Sequence, residues 1–191
     1  VFTAGDGAPI ARTLFRTRHA NRKAWFHGRS LAVAPALVNA VKVALEWASE
    51  TADTGALGII TFRTLETALR FCAGLDRDAC RAAWRDDRQR PEALDELDAA
   101  VGPVLRGVRR ALLFGHYGAT RGLNTMANAD AVVTLGVPWR NLGDVYNDAA
   151  FLQLGGWQAR YEAWCRAELE QAHGRLRTVH RTRPGRALHV G

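Results

Sequence analysis

The sequence predicts an α/β fold with a mostly parallel central sheet. Short apolar runs typical of buried strands alternate with longer segments of helical periodicity, and polar turns separate them. With 191 residues, 48% of them hydrophobic, the chain is long enough to bury one sizeable core. Because strands that alternate with helices usually pair in parallel through crossover connections, these observations favour a layered α/β architecture.

The N-terminal part of the chain combines a basic arm with a helix. Residues 1–34 are basic and irregular, and we interpret them as a linker or a returning strand. Pro35 is well placed to open a helix that continues to about Glu50, with apolar residues along one stripe. We therefore assign residues 1–55 to an arm plus helix, and residues 56–191 to the main α/β domain.

A strand followed directly by a helix is predicted next. The run 57–62 is apolar and rich in β-formers, and the periodicity then becomes helical, with Leu65, Leu69 and Cys72 on one face. Thr64 is the predicted N-cap of this helix. Taken alone, the segment is an ordinary βα unit of the core.

The remaining elements complete the alternation. Residues 76–90 carry mixed charges and indicate exposed helix and loop, while residues 92–101 form a helical pattern that Gly102 and Pro103 are expected to stop. Three further strands are predicted at 111–114, 131–135 and 187–190. A helix near the C-terminus carries an apolar and aromatic stripe, interpreted as a buried seam: Trp157, Tyr161, Trp164, Cys165 and Leu169.

A polar loop punctuated by glycines, residues 118–124, lies between two of the predicted strands. Gly122 allows close approach of the backbone to a ligand, while Thr120 and Asn124 offer polar groups to a ribose, a phosphate or a metal-bound water. His116 comes just before the loop at a strand end, a typical functional position in open α/β sheets. The alternative interpretation is an ordinary strand-to-helix turn.

The segment 171–177 places a glutamine and an arginine four positions apart at the end of a long helical pattern. If the helix persists, Gln171 and Arg175 share one face. A planar guanidinium makes bidentate, charge-assisted bonds to phosphoryl oxygens, so Arg175 is a candidate arginine finger. The alternative is a surface arginine that complements the helix dipole.

Taken in sequence order, the βα unit, the glycine-punctuated loop and the segment 171–177 resemble the second RecA-like domain of superfamily 2 helicases and translocases. Residues 57–75 are similar to motif IV, residues 119–124 to motif V and residues 171–175 to motif VI, and the resemblance spans about residues 56–190. It implies a RecA-like three-layer fold. This chain departs from the family in having Asn124 where motif V usually ends in aspartate. It also has Thr178 where motif VI commonly has its second arginine, with Arg177 one position short.

The resemblance also implies roles for individual residues. Arg175 would reach the γ-phosphate of ATP, which is bound with Mg²⁺ mainly by a first RecA-like domain absent from this chain. The implied catalytic residues are Arg175, Gln171 and Arg177. The implied nucleotide-binding residues are Gly122, Asn124 and Gly174. The implied nucleic-acid-binding residues are Thr120, Arg121, His116 and Arg63.

Charge and missing motifs bound the function further. The net charge of +7 favours a polyanionic partner, and residues 12–29 and 175–186 contain arginines but no acidic residue. We expect nucleic acid, with DNA favoured over RNA. The sequence contains neither a phosphate-binding Walker A loop nor a Walker B element, so we expect the C-terminal half of a larger motor that is inactive as an ATPase alone.

Other classes of function have less support. Three cysteines without paired spacing predict no metal site, and no apolar run approaches the roughly 20 residues of a membrane span, so a cytoplasmic protein is expected. The leading hypothesis is a helicase or translocase ATPase domain. The competing hypothesis is a non-enzymatic nucleic-acid-binding or scaffold module of a replication complex. A nucleotide-sugar enzyme ranks last, because no catalytic constellation is present.

Overall fold

A computed structural model describes residues 10–15, 35–50, 55–86, 89–119, 126, 128–138, 142–151, 156–174 and 185–191. Within these residues the chain forms five strands and six helices. In chain order they are β1 (Ile10–Phe15), α1 (Pro35–Ser49), β2 (Ala56–Thr61), α2 (Arg63–Cys72), α3 (Arg77–Asp86), α4 (Pro91–Gly107), β3 (Leu112–His116), β4 (Ala129–Leu135), α5 (Leu142–Phe151), α6 (Trp157–Gly174) and β5 (Gly185–Val190).

The five strands form one sheet in the order β1-β5-β4-β2-β3, and every neighbouring pair is parallel. Helices cover both faces, so the architecture is the three-layer α/β arrangement of RecA-like domains, as predicted from the sequence. The central strands β2 and β4 are buried along almost their whole length, which explains why both are apolar runs and not alternating patterns.

The first face of the sheet carries the larger core. Helices α1, α2, α3 and α4 contribute buried side chains there, and they pack on Leu57 and Ile59 of β2 and on Val133 of β4. Trp84 is the largest fully buried side chain among the described residues, and its Nε1 donates to the carbonyl of Arg90 at 2.7 Å. This face therefore holds most of the apolar burial.

The second face is covered by α6, which packs against β4. Its apolar cluster is small and includes Ile60, Met126, Val132, Ala172 and Ala187. Toward the carboxyl ends of the strands, polar side chains replace apolar ones. The candidate site lies at this polar end of the strands.

Two local predictions were wrong. Thr64 is not the N-cap, because α2 begins at Arg63 and Phe62 stands at the cap without a side-chain hydrogen bond, while Thr64 is buried in the first turn. Gly102 and Pro103 do not stop α4, which continues to Gly107. The extra turn buries Leu105, so tertiary packing outweighs the local cost of a proline inside the helix.

The remaining predicted elements lie close to where the sequence puts them. The predicted helix from Pro35 is α1, and the predicted strands correspond to β2, β3, β4 and β5 with shifts of one or two residues. The stretch 10–15 of the N-terminal arm is an edge strand, since β1 pairs with β5. In the C-terminal helix, the predicted buried seam is confirmed in part, since Tyr161 and Cys165 are buried and three members are only partly buried: Trp157, Trp164 and Leu169.

Candidate functional site

The carboxyl ends of β2, β3 and β4 converge at one edge of the sheet. From β2 the chain proceeds to β3 on one side, and from β4 it proceeds to β5 on the other. The direction of winding therefore reverses between β2 and β4. In open parallel sheets, the crevice at such a switch point is the usual place for a ligand.

A cleft of about 270 Å³ opens at this edge. Its walls come from the segments that follow β2, β3 and β4, and from α6. The lining residues are Phe62, Arg63, Thr64, Tyr117, Gly118, Pro138 and Trp164. Segments separated by up to about a hundred positions in the sequence thus meet at one small site.

A larger cavity of about 570 Å³ lies at the opposite edge, between the ends of α1 and α4. Apolar groups such as Leu45 and Val104 line most of it. Arg110 at this cavity donates to the carbonyls of Gly55 at 2.7 Å and Ala48 at 3.1 Å, so its guanidinium closes the connection from α1 to β2. We assign the functional site to the smaller cleft, because of these two cavities only the cleft lies where the segments after three strand ends converge.

Arg63 provides positive charge at the mouth of the cleft. It is the first residue of α2 and its side chain is exposed. The amino end of a helix carries a positive partial charge and backbone N–H groups, which favour an anion such as phosphate. Arg63 and the start of α2 therefore present an electropositive wall.

His116 is held by a carboxylate at the end of β3. Its Nδ1 lies 2.5 Å from Oε2 of Glu66 on α2, and Oε1 of Glu66 lies 3.8 Å from the guanidinium of Arg70. Because an ionised carboxylate only accepts hydrogen bonds, the Nδ1 position carries the proton. The imidazole is thus fixed in orientation, with a side chain that remains 29% exposed.

Tyr117 closes the floor of the cleft. Its hydroxyl donates to the carbonyl of Gly136 at 2.7 Å, and its ring meets that of Phe62 edge to face at 5.8 Å. Burial raises the pKa of Tyr117 far above its ordinary value, so the hydroxyl stays neutral. Tyr117 is a structural group that joins the ends of β3 and β4.

Helix α6 carries a polar side chain that reaches the end of β3. The carboxylate of Glu168 is buried and accepts a hydrogen bond from the backbone N–H of Gly118 at 3.3 Å. One turn later, Oε1 of Gln171 is buried and has no hydrogen-bond partner among the described residues. Gly174 ends the helix and is exposed.

A second polar cluster lies beside the cleft, between α6 and the sheet. Oγ1 of Thr134 lies 2.9 Å from Nδ1 of His189, 3.2 Å from Nε2 of His173 and 3.3 Å from the carbonyl of Leu188. Burial lowers the pKa of His189, against a smaller opposing effect of a hydrogen bond with the backbone of Thr134. Sequence reasoning missed this cluster, although both Thr134 and His189 interrupt the apolar ends of buried strands.

Four of the residues predicted for the site are described by the structure. Arg63 and His116 stand at the ends of neighbouring strands β2 and β3, and Gln171 and Gly174 stand at the end of α6. The other six predicted residues lie outside the described part of the chain: Arg175, Arg177, Gly122, Asn124, Thr120 and Arg121.

The described residues contain neither a grouped set of metal ligands nor a membrane-spanning helix. Over the residues that the structure describes, no three His, Cys, Asp or Glu side chains are grouped so as to hold a metal ion. No described helix combines the length and apolarity that crossing a membrane requires. Comparison of the chain with protein-family models, with curated proteins and with solved structures gives no match.

Proposed function

We propose that this chain is the C-terminal RecA-like domain of a nucleic-acid-dependent ATPase, a helicase or translocase. It supplies the arginine finger and part of the strand-binding surface to a first RecA-like domain. The observation that supports the proposal is that the start of α2, the end of β3 and α6, which carry or adjoin the segments similar to motifs IV, V and VI, meet at one edge of the sheet. The start of α2 and the residues after β3 line one cleft, and a hydrogen bond from Gly118 joins the latter to α6.

The nucleic-acid strand lies across the carboxyl edge in this proposal. Arg63 and the start of α2 contact a phosphate, and His116, oriented by Glu66, contacts the backbone beside it. Thr120 and Arg121, which follow β3 in the sequence, contact the same strand in this proposal. The net charge of +7 supports a polyanionic partner, which we propose to be DNA, bound in the cytoplasm.

ATP with Mg²⁺ is bound mainly by the first domain, and this chain completes the site. The end of α6 fits such a ligand in one respect: the buried Oε1 of Gln171 is an unsatisfied acceptor, and a ribose hydroxyl could donate a hydrogen bond to it. Gly174, Gly122 and Asn124 line the nucleotide, and Arg177 supports Arg175. An arginine finger accelerates phosphoryl transfer by about a thousandfold or more in comparable enzymes.

The strand-binding part of the proposal is tested by binding of a fluorescently labelled single strand to the chain. We expect Arg63→Ala to weaken binding about three- to tenfold and to reduce the salt slope by about 1, because one phosphate contact is lost. Arg109→Ala is the matched control, since Arg109 is an exposed arginine at the opposite edge. Equal effects of the two substitutions would contradict a strand site at the carboxyl edge.

The preference for DNA is tested in the same assay with oligonucleotides of equal length and matched sequence. We expect the DNA strand to bind more tightly than the RNA strand at the same salt concentration. Tighter binding of the RNA strand would reverse that part of the proposal and leave the position of the site unchanged.

A further inference from the structure

The function proposed above uses Glu168 only as the acceptor of the hydrogen bond that joins Gly118 to α6. Glu168 lies on α6, is only 5% exposed, and faces the polar end of the second face. Burial of a carboxylate is unfavourable unless hydrogen bonds or charges compensate it. A buried acid at this position therefore needs a structural reason.

The backbone N–H of Gly118 supplies one such hydrogen bond, at 3.3 Å. Gly118 is also the residue at which the chain leaves β3 for the loop that resembles motif V. It adopts a φ of +85°, a conformation that side chains rarely allow. The neighbouring Tyr117 donates from its backbone to Thr61 at 2.9 Å and from its hydroxyl to Gly136 at 2.7 Å. Residues 117 and 118 are thus joined to β2, to the segment after β4 and to α6.

We propose that Glu168 is a positioning residue that couples the strand-binding loop to the helix of the arginine finger. Its carboxylate fixes the start of the loop relative to α6, and Gln171 follows on the same helix one turn later. Because the hydrogen bond between Gly118 and Glu168 joins the end of β3 to α6, a shift of Gly118 on strand binding is expected to change the free energy of α6, and the reverse holds as well. The functional consequence rests on the proposed function, whereas the positioning itself does not.

Three variants test the proposal in the 191-residue chain. Glu168→Ala removes the acceptor, and Glu168→Gln keeps an oxygen acceptor without the charge. Glu170→Ala is the matched control, since Glu170 is an exposed acid on the same helix and its substitution changes the net charge by the same amount. Two quantities are measured for each variant: hydrogen exchange of the Gly118 amide by NMR, and affinity for a labelled single strand.

We expect Glu168→Ala to accelerate exchange at Gly118 about tenfold and to weaken strand binding several-fold, because the charge-assisted bond is lost. Glu168→Gln should restore both quantities to within about threefold of the natural chain, and Glu170→Ala should change neither. This selective change at Gly118, with rescue by glutamine, is not expected from a general loss of stability.

Two results would overturn the proposal. One is exchange at Gly118 that Glu168→Ala leaves unchanged. The other is acceleration spread evenly over α6 and the sheet and not restored by glutamine, which would identify Glu168 as a group of general structural importance. If the natural chain binds no strand at all, the proposed function fails, but exchange at Gly118 still decides whether Glu168 holds the loop.

Discussion

The two faces of the sheet differ in what they bury. The first face, under α1 to α4, is almost entirely apolar and includes the large side chains of Phe71, Trp84 and Leu97. The second face, under α6, has a small apolar cluster and then buried polar groups: Thr134, Glu168, His173 and His189. The same strands serve both faces, because successive side chains of a strand point in opposite directions.

This difference separates stability from function. The free energy gained from apolar burial is proportional to the apolar area removed from water. The first face buries more apolar side chains, so it provides most of the stabilisation. Buried polar groups stabilise little in net terms and are costly when a partner is lost, so they persist where they position something. The polar end of the second face adjoins the cleft, so the candidate site lies beside the smaller of the two apolar clusters.

The largest effect is expected from truncation of the first face. Leu97→Ala on α4 should lower the free energy of unfolding by about 2–5 kcal/mol, because it removes buried methyl groups and leaves a cavity. Chemical denaturation followed by tryptophan fluorescence measures the change. Val104→Ala on the same helix is the control: Val104 is 37% exposed and should cost about 0.5 kcal/mol or less. Similar values for both would contradict the assignment of this face as the main core.

A smaller effect is expected from the polar cluster of the second face. Thr134→Val keeps the shape of the side chain but removes the hydroxyl that His173 and His189 approach, and should cost about 1–3 kcal/mol. Thr67→Val is the control, because Thr67 bonds only to its own helix, at the carbonyl of Arg63. A neutral Thr134→Val would show that the cluster contributes no net stability.

Gly118→Ala should lower the free energy of unfolding by about 1 kcal/mol. A Cβ at Gly118 would meet nothing within 4 Å, so the cost comes from its φ of +85° and not from a clash. Gly107→Ala should change the free energy of unfolding in the opposite direction. A Cβ at Gly107 also meets nothing within 4 Å, but Gly107 ends α4 without a positive φ. Alanine there should raise the free energy of unfolding by roughly 0.5 kcal/mol. Changes of equal sign would contradict the conformational argument.

The smallest effect is a pH dependence of the second face. Burial lowers the pKa of His189 in the folded chain below its ordinary value of 6.5, so the unfolded chain binds the proton more readily. The contribution of His189 to stability is therefore complete above about pH 6.5 and is lost as the pH falls toward the lower folded-state pKa. Unfolding free energies at about pH 7.5 and about pH 5.5 should show a smaller difference in His189→Gln than in the natural chain. If the difference between the two pH values were the same in His189→Gln as in the natural chain, the pH dependence of stability would come from other groups.

The sequence was sufficient to predict the layered fold, because short apolar runs mark strands that are buried on both faces and alternate with segments of helical periodicity. Local end signals were less reliable: the threonine at 64 and the glycine-proline pair at 102–103 suggested boundaries that packing of Leu65 and Leu105 overrides. The resemblance predicts Gln171, His116 and Arg63 as site residues. It could not identify Glu168 or the cluster around Thr134, because hydrogen bonds across 50 or more positions leave no pattern in the sequence.

The most direct test of the proposed function is ATP hydrolysis by the polypeptide or complex in which this chain works beside a first RecA-like domain. Turnover is measured with and without single-stranded DNA, for the natural sequence, for Arg175→Ala and for Arg166→Ala, an exposed arginine of α6 that serves as the control. We expect Arg175→Ala to lower strand-stimulated turnover by about a thousandfold while strand binding is retained, and Arg166→Ala to change neither. Equal turnover in all three, or none in the natural sequence, would contradict the motor and leave a nucleic-acid-binding or scaffold module.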